Sequence, residues 1–276
     1  MNWFEKIVYF LQGDMTRPTP YGWFHLLAFG LVIALTVLLC VFFKDATDRT
    51  YRIIVLAVWC VIALGEIYKQ TVFAMSWDGA VVTWDYAWYA FPYQFCSTPL
   101  YILPFVALLP EGRVRRAMMM FTGTFAFFGG IAVMFYPGDV FIETIGINIQ
   151  TMIHHGSQVI LGIYTIVYTR RNLKVLSWLS AIPVFAVLVA VAVGLNLGVY
   201  HAFAAKGIED TFNMFFVSPY FECTLPVLSG IYPLVPYAVF LITYILGFGV
   251  VAGIMYYAQW GIIKLCHFLK EKRKRA

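Results

Sequence analysis

Six side chains able to gain or lose a proton stand inside long apolar stretches of the chain: His25, Glu66, Lys69, Cys96, His154 and His155. Ionisable groups are costly in hydrocarbon, so each is a candidate for function. Counted at 1.5 Å per residue from the expected outer helix ends, Glu66 and Cys96 lie about 12 Å deep and His155 about 10 Å deep. Three helices thereby bring a carboxylate, a thiol and an imidazole to one level. That set suits nucleophilic catalysis. A thiol attacks as the thiolate, an imidazole can take its proton, and a carboxylate can hold and stabilise the imidazolium. Pro99 cannot donate a backbone bond to the Phe95 carbonyl, which predicts a kinked or opened helix beside Cys96, loosened further by Pro92 and Pro104. Backbone groups freed there could meet substrate or water.

Plainer roles exist for the same residues. A cysteine in an apolar helix is usually a small hydrophobe. Glu66 and Lys69, three apart, can neutralise each other, and Lys69 can snorkel outward. His154 and His155 point about 100° apart on a helix and make no chelating pair. The five cysteines show no CxxC spacing, so neither zinc nor a disulfide framework is indicated. Gly129-Gly130 and Gly249-x-x-x-Gly253 read as close helix packing.

The elements that must hold these groups are membrane helices. The chain is 62% hydrophobic and 12% charged, against about a quarter charged in soluble domains, which excludes a disordered chain, a disulfide scaffold and an ordinary cytosolic enzyme. Hydropathy predicts an all-α polytopic fold with seven spans, near 21–43, 52–74, 88–109, 116–136, 148–169, 174–199 and 234–263. Residues 1–20 read as an interfacial amphipathic segment rather than a cleaved signal, 21–263 as the transmembrane domain and 264–276 as a basic tail. Alternate connections and the tail hold 15 of the 19 basic residues, placing the amino terminus outside and the carboxy terminus in the cytoplasm. Trp77, Trp84, Tyr86, Trp88 and Tyr89 suit headgroup depth, while the 200–233 loop, with Phe212 to Phe216, is too apolar to be solvated and should cover what lies below. No internal repeat is evident, unlike transporters built from inverted halves.

Two segments carry a resemblance. Phe91-Pro92-Tyr93-Gln94-Phe95-Cys96 with the apolar run after it resembles the Pro-apolar-His-Leu-Cys motif of the YwaF/transmembrane protein 164 family. Ile153-His154-His155-Gly156 resembles that family's Gln-His-Gly segment. Glu66, about 30 residues before the cysteine, and Asn213-Met214-Phe215 with Pro219 echo further positions, and the resemblance covers roughly residues 55 to 260. It implies acyl transfer on phospholipids, with Cys96 as nucleophile, His155 as general base, and Glu66, Gln94, His154, Thr98 and Asn213 in support. Thr98 is the reserve nucleophile if the chain is closer to the similarly arranged threonine hydrolases. Gln94 stands where the family often has histidine, so hydrogen bonding can persist there but proton transfer cannot.

The expected activity is thus an intramembrane acyltransferase that moves an acyl chain from a donor phospholipid to a lysophospholipid through a Cys96 thioester. It needs no metal or soluble cofactor, its partners are membrane lipids rather than nucleic acid, and it sits as an integral multi-pass protein, in the plasma membrane if the chain is bacterial. A lipid-ester hydrolase with the same pair is one alternative. A proton-linked transporter using Glu66, His25 and His155 is another, and a purely structural membrane protein a third. A retinal protein is excluded because residues 234–263 contain no lysine.

Overall fold

The computed structural model describes residues 1–275 and is almost entirely helical. The chain runs α1 (Trp3–Leu11), α2 (Trp23–Phe42), α3 (Asp48–Ala74), α4 (Pro99–Leu108), α5 (Arg113–Phe121), α6 (Phe127–Phe135), α7 (Ile145–Thr169), α8 (Ala181–Lys206), α9 (Leu228–Ile231) and α10 (Tyr237–Arg275). A π-helical stretch, Thr122–Ala126, joins α5 and α6 into one rod, Arg113–Phe135. Five helical segments are long and apolar enough to cross a membrane: α2, α3, this rod, Ser177–Lys206 and α10.

The other two expected spans take different forms. α7 is long enough at 25 residues but turns Asn148, Gln150, His154, His155 and Gln158 inward. It is the central helix, packed by α2, α3 and α6. The segment expected to be helical from residue 88 holds only two short 3-10 turns, Trp88–Ala90 and Phe95–Ser97, and α4 begins only at Pro99. Pro99 therefore starts a helix rather than kinking one: at the first helical position its missing N–H costs nothing.

Outside this bundle, α1 begins with a capping box in which Glu5 N–H donates to Asn2 Oδ1 at 2.9 Å and Asn2 N–H donates to Glu5 Oε2 at 2.6 Å. Its Trp3 and Phe10 are exposed while Val8 is buried. A hairpin of β1 (Met75–Trp77) and β2 (Val82–Trp84) pairs Met75 with Trp84 and Trp77 with Val82. Gln12 ties α1 to it, accepting from Trp77 N–H at 3.0 Å. The basic tail continues α10 as helix through Arg275.

Close approach of α6 to α7 depends on Gly130, where an added Cβ would stand 2.7 Å from the His155 carbonyl oxygen. Gly156 does the same for α2, since a Cβ there would meet Val32 Cγ2 at 2.5 Å. These contacts bear out the packing reading of the Gly129-Gly130 pair. The core continues into an aromatic group in which Phe95 lies 5.1 Å from Phe248, and Phe125 stacks on Phe185 at 4.5 Å between ring centroids. Phe95 thereby anchors the turn that carries Cys96.

Candidate active site

Cys96 sits half-buried in that 3-10 turn, at the junction between irregular chain and α4. Because the chain is not α-helical before Pro99, the Phe95 carbonyl takes a 3-10 bond from Thr98 N–H at 3.3 Å and the Cys96 carbonyl needs other donors. The Thr98 hydroxyl donates to Phe95 O at 2.8 Å. The Cys96 carbonyl receives two side chains of α7, His154 Nε2 at 2.9 Å and Gln158 Nε2 at 2.7 Å. The freed backbone groups beside the thiol are thus occupied by protein.

A carbonyl can only accept, so His154 carries its hydrogen on Nε2 and leaves Nδ1 as the basic lone pair. That Nδ1 is buried without a partner. So are Gln158 Oε1, His155 Nδ1 and Glu66 Oε2. Among the described residues five buried side-chain atoms lack a partner, and four of them belong to this constellation. Buried polar atoms are nearly always paired, so this concentration singles out these residues as the candidate site.

Glu66, 7% exposed, is half satisfied. Its Oε1 meets Lys69 Nζ at 2.8 Å and accepts from Gln70 Nε2 at 2.7 Å. The neutralising role of Lys69 is therefore real, yet Oε2 stays free. Gln70 also donates to Ala90 O at 2.8 Å and accepts from the Tyr86 hydroxyl at 2.5 Å, which ties α3 to the chain leading into Cys96.

While the partners of Glu66 are Lys69 and Gln70, the structure bonds His154, not His155, to the cysteine peptide. His155 is buried beside it, ring centroids 5.4 Å apart. Thr98 is 1% exposed, its hydroxyl committed to Phe95 O. Gln94 and Asn213 serve the covering loop. Gln94 Oε1 accepts from Phe215 N–H at 3.0 Å and its Nε2 donates to Asn213 O at 3.3 Å, while Asn213 Oδ1 accepts from Ser218 N–H at 2.9 Å. His25 is remote from this group: its Nδ1 accepts from Tyr21 N–H at 2.9 Å and its Nε2 meets Met134 O at 2.9 Å, so neither nitrogen is left for a relay.

The covering loop is buried, as its apolar sequence predicts: Phe212, Met214, Phe215, Val217 and Ser218 are all at most 1% exposed. Phe215 and Phe216 adopt positive φ of 58° and 56°, a strained conformation for bulky residues. Side chains hold it there. Asn196 clasps Met214 through both backbone groups, at 2.8 and 3.0 Å, and the Tyr244 hydroxyl donates to Phe215 O at 2.8 Å.

The TMEM164 family profile matches residues 20–256, most of the chain and all of this site. The chain belongs to the TMEM164 family. No curated protein and no solved structure matches it. Within the matched region, the site residues that sequence reasoning missed are Gln158, Gln70, Asn196 and Tyr244. Gln158 had a signal, since it follows His154 by four positions and so shares its helix face. Gln70 had the same signal, four positions after Glu66, whereas Asn196 and Tyr244 act across distances that no local spacing reveals.

Proposed function

We propose that this family member is an intramembrane acyltransferase that remodels phospholipids, with Cys96 as nucleophile. The observation that carries the reading is the hydrogen bond from His154 to the Cys96 carbonyl, which ties a ring with an unpartnered, buried Nδ1 to the residue that carries the thiol. The base role therefore moves, in this proposal, from His155 to its neighbour. The thiol proton passes to His154, and the sulfur attacks the carbonyl carbon of a donor phospholipid ester. The ester C–O bond breaks, the lysophospholipid leaves with the proton from His154, and a thioester remains on Cys96. An acceptor lysophospholipid hydroxyl then loses its proton to His154 and takes the acyl chain, restoring the thiol. Glu66, with Oε2 free, balances the imidazolium while it lasts. Water in place of the acceptor hydroxyl would make the same site a lipid-ester hydrolase.

The reading includes seven crossings, with α7 and the Phe95–Leu108 segment completing the five apolar helices. The basic connections and tail face the cytoplasm and Cys96 lies in the outer half. The inward polar face of α7 supports this topology, because a helix surrounded by its neighbours can span without apolar composition.

The test is purified protein in liposomes with a donor phospholipid labelled in its sn-2 acyl chain and a lyso-ether acceptor, followed by mass spectrometry. Label should appear in the acceptor, a labelled thioester should be trapped on Cys96, and Cys96→Ala should abolish both. Full transfer by Cys96→Ala would end the proposal.

A further inference from the structure

Far from Cys96, a cavity of about 1180 Å³ opens between the α2–α3 connection, the start of α5 and the α7–α8 connection. Along α7 it lies 14 residues beyond His154, about 21 Å away. Seven lysines and arginines line it against three carboxylates, Asp45, Asp48 and Glu111. Two of those carboxylates are already held. Asp45 binds Arg170 and Arg171, and Asp48 binds Arg52 and Arg115. Lys44, Arg113, Arg116 and Lys174 form no ion pair among the described residues.

Cations that only orient a membrane protein are satisfied by bulk water and need no shared concavity. Here four unpaired cations converge on one space. Its wall is fixed by Arg115, which is 3% exposed and locked to Asp48 at 2.7 Å and to Val106 O at 2.8 Å. Met119 and Met120, both buried, give the space an apolar floor. A concave site with forked cations above and thioethers below fits a phosphate with an apolar body attached.

The geometry points to this cavity as a binding site for a phosphate ester, separate from the acyl-transfer site. The phosphate belongs either to an anionic phospholipid of the adjoining leaflet or to a soluble phosphate ester. Arg113 and Arg116 grip it, with Lys44 and Lys174 closing the opposite side.

The test uses the full chain in nanodiscs of phosphatidylcholine with or without phosphatidic acid, and separately with inorganic pyrophosphate in solution. Retained lipid is read by native mass spectrometry and the thermal midpoint by unfolding. Arg113 and Arg116 are exposed and unpaired, so the R113A/R116A double variant should fold normally. Wild type should retain phosphatidic acid over phosphatidylcholine, and the double variant should bind it roughly 30-fold more weakly, at about 1 kcal/mol per cation. A control, K270A/K272A, removes equal charge from the tail and should bind like wild type. A pyrophosphate-induced rise in midpoint that the double variant loses, without any lipid preference, would support the site with a soluble ligand. Equal losses in the double variant and the control, unchanged binding by the double variant, or no response to either probe would overturn it. Acyl transfer should be unaffected throughout, so failure here is distinguishable from failure of the catalytic reading.

Discussion

His154 and Cys96, 58 residues apart, are joined by a 2.9 Å hydrogen bond from the imidazole Nε2 to the cysteine carbonyl. It fixes the neutral ring as the Nε2–H tautomer and leaves Nδ1 as the only basic atom of that ring. His155, next in sequence, has no such bond to the cysteine.

The two histidines should therefore differ in kinetics. His154→Ala is expected to lower acyl transfer by roughly 10²–10⁴-fold, the usual span for losing a general base. His155→Ala should cost less than tenfold. Turnover by the two variants in the liposome assay decides between them, and the reverse ranking would return the base role to His155.

The ion pair of Glu66 and Lys69 makes a prediction about stability. Side chains this buried, 9% and 17% exposed, lose much solvation, and removing one partner strands the other. Glu66→Ala should destabilise the protein by about 3 kcal/mol. Glu66→Ala with Lys69→Met should recover most of that loss, because no bare charge remains. If both proteins unfold at the same temperature in detergent, the pair is not what holds this region.

How far these relationships could be read from sequence varies with their range. Glu66 and Lys69 share one helix turn, and their pairing is legible from spacing alone. Which of two adjacent histidines faces Cys96 is not, because they point about 100° apart and the choice depends on how α7 is rotated among its neighbours. The run from Trp88 to Phe95 is apolar enough to read as membrane helix, but Pro92 and Pro99 lack the N–H groups that would continue one. Hydropathy is blind to that difference. The burial of Phe212 to Ser218 follows from composition, whereas the left-handed turn at Phe215 depends on Asn196, Gln94 and Tyr244 arriving from three other segments.

That clasp gives a third expectation. Asn196 is fully buried and satisfies both backbone groups of Met214, itself fully buried. Asn196→Ala should leave an N–H and a carbonyl unpaired, at about 1–3 kcal/mol. The loop is already strained, so the loss should appear locally first. Hydrogen exchange at 213–217 should accelerate before global unfolding changes, and a uniform effect across the bundle would contradict the clasp.

At the other end of the molecule, pH should act through Asp45. The Arg170 guanidinium, hydrogen-bonded to Asp45 and assisted by the charges of Arg171 and Lys44, holds its carboxyl below the ordinary carboxylate range. A carboxyl with a lowered folded pKa contributes stability above its unfolded pKa near 4, and that contribution is lost as pH falls through the lower folded value. Asp45→Asn should therefore unfold at a lower temperature than wild type at pH 7, with the gap narrowing below about pH 4 and closing once the carboxyl is protonated in the folded protein as well. Asp45 is exposed, so the gap should also shrink in high salt. The same substitution frees Arg170 and Arg171 at the rim of the basic cavity, so it should tighten phosphatidic acid retention at pH 7 while weakening the fold. Thermal unfolding and native mass spectrometry on one preparation measure both, and a variant that loses lipid together with stability would show that Asp45 organises the cavity rather than competing with its ligand.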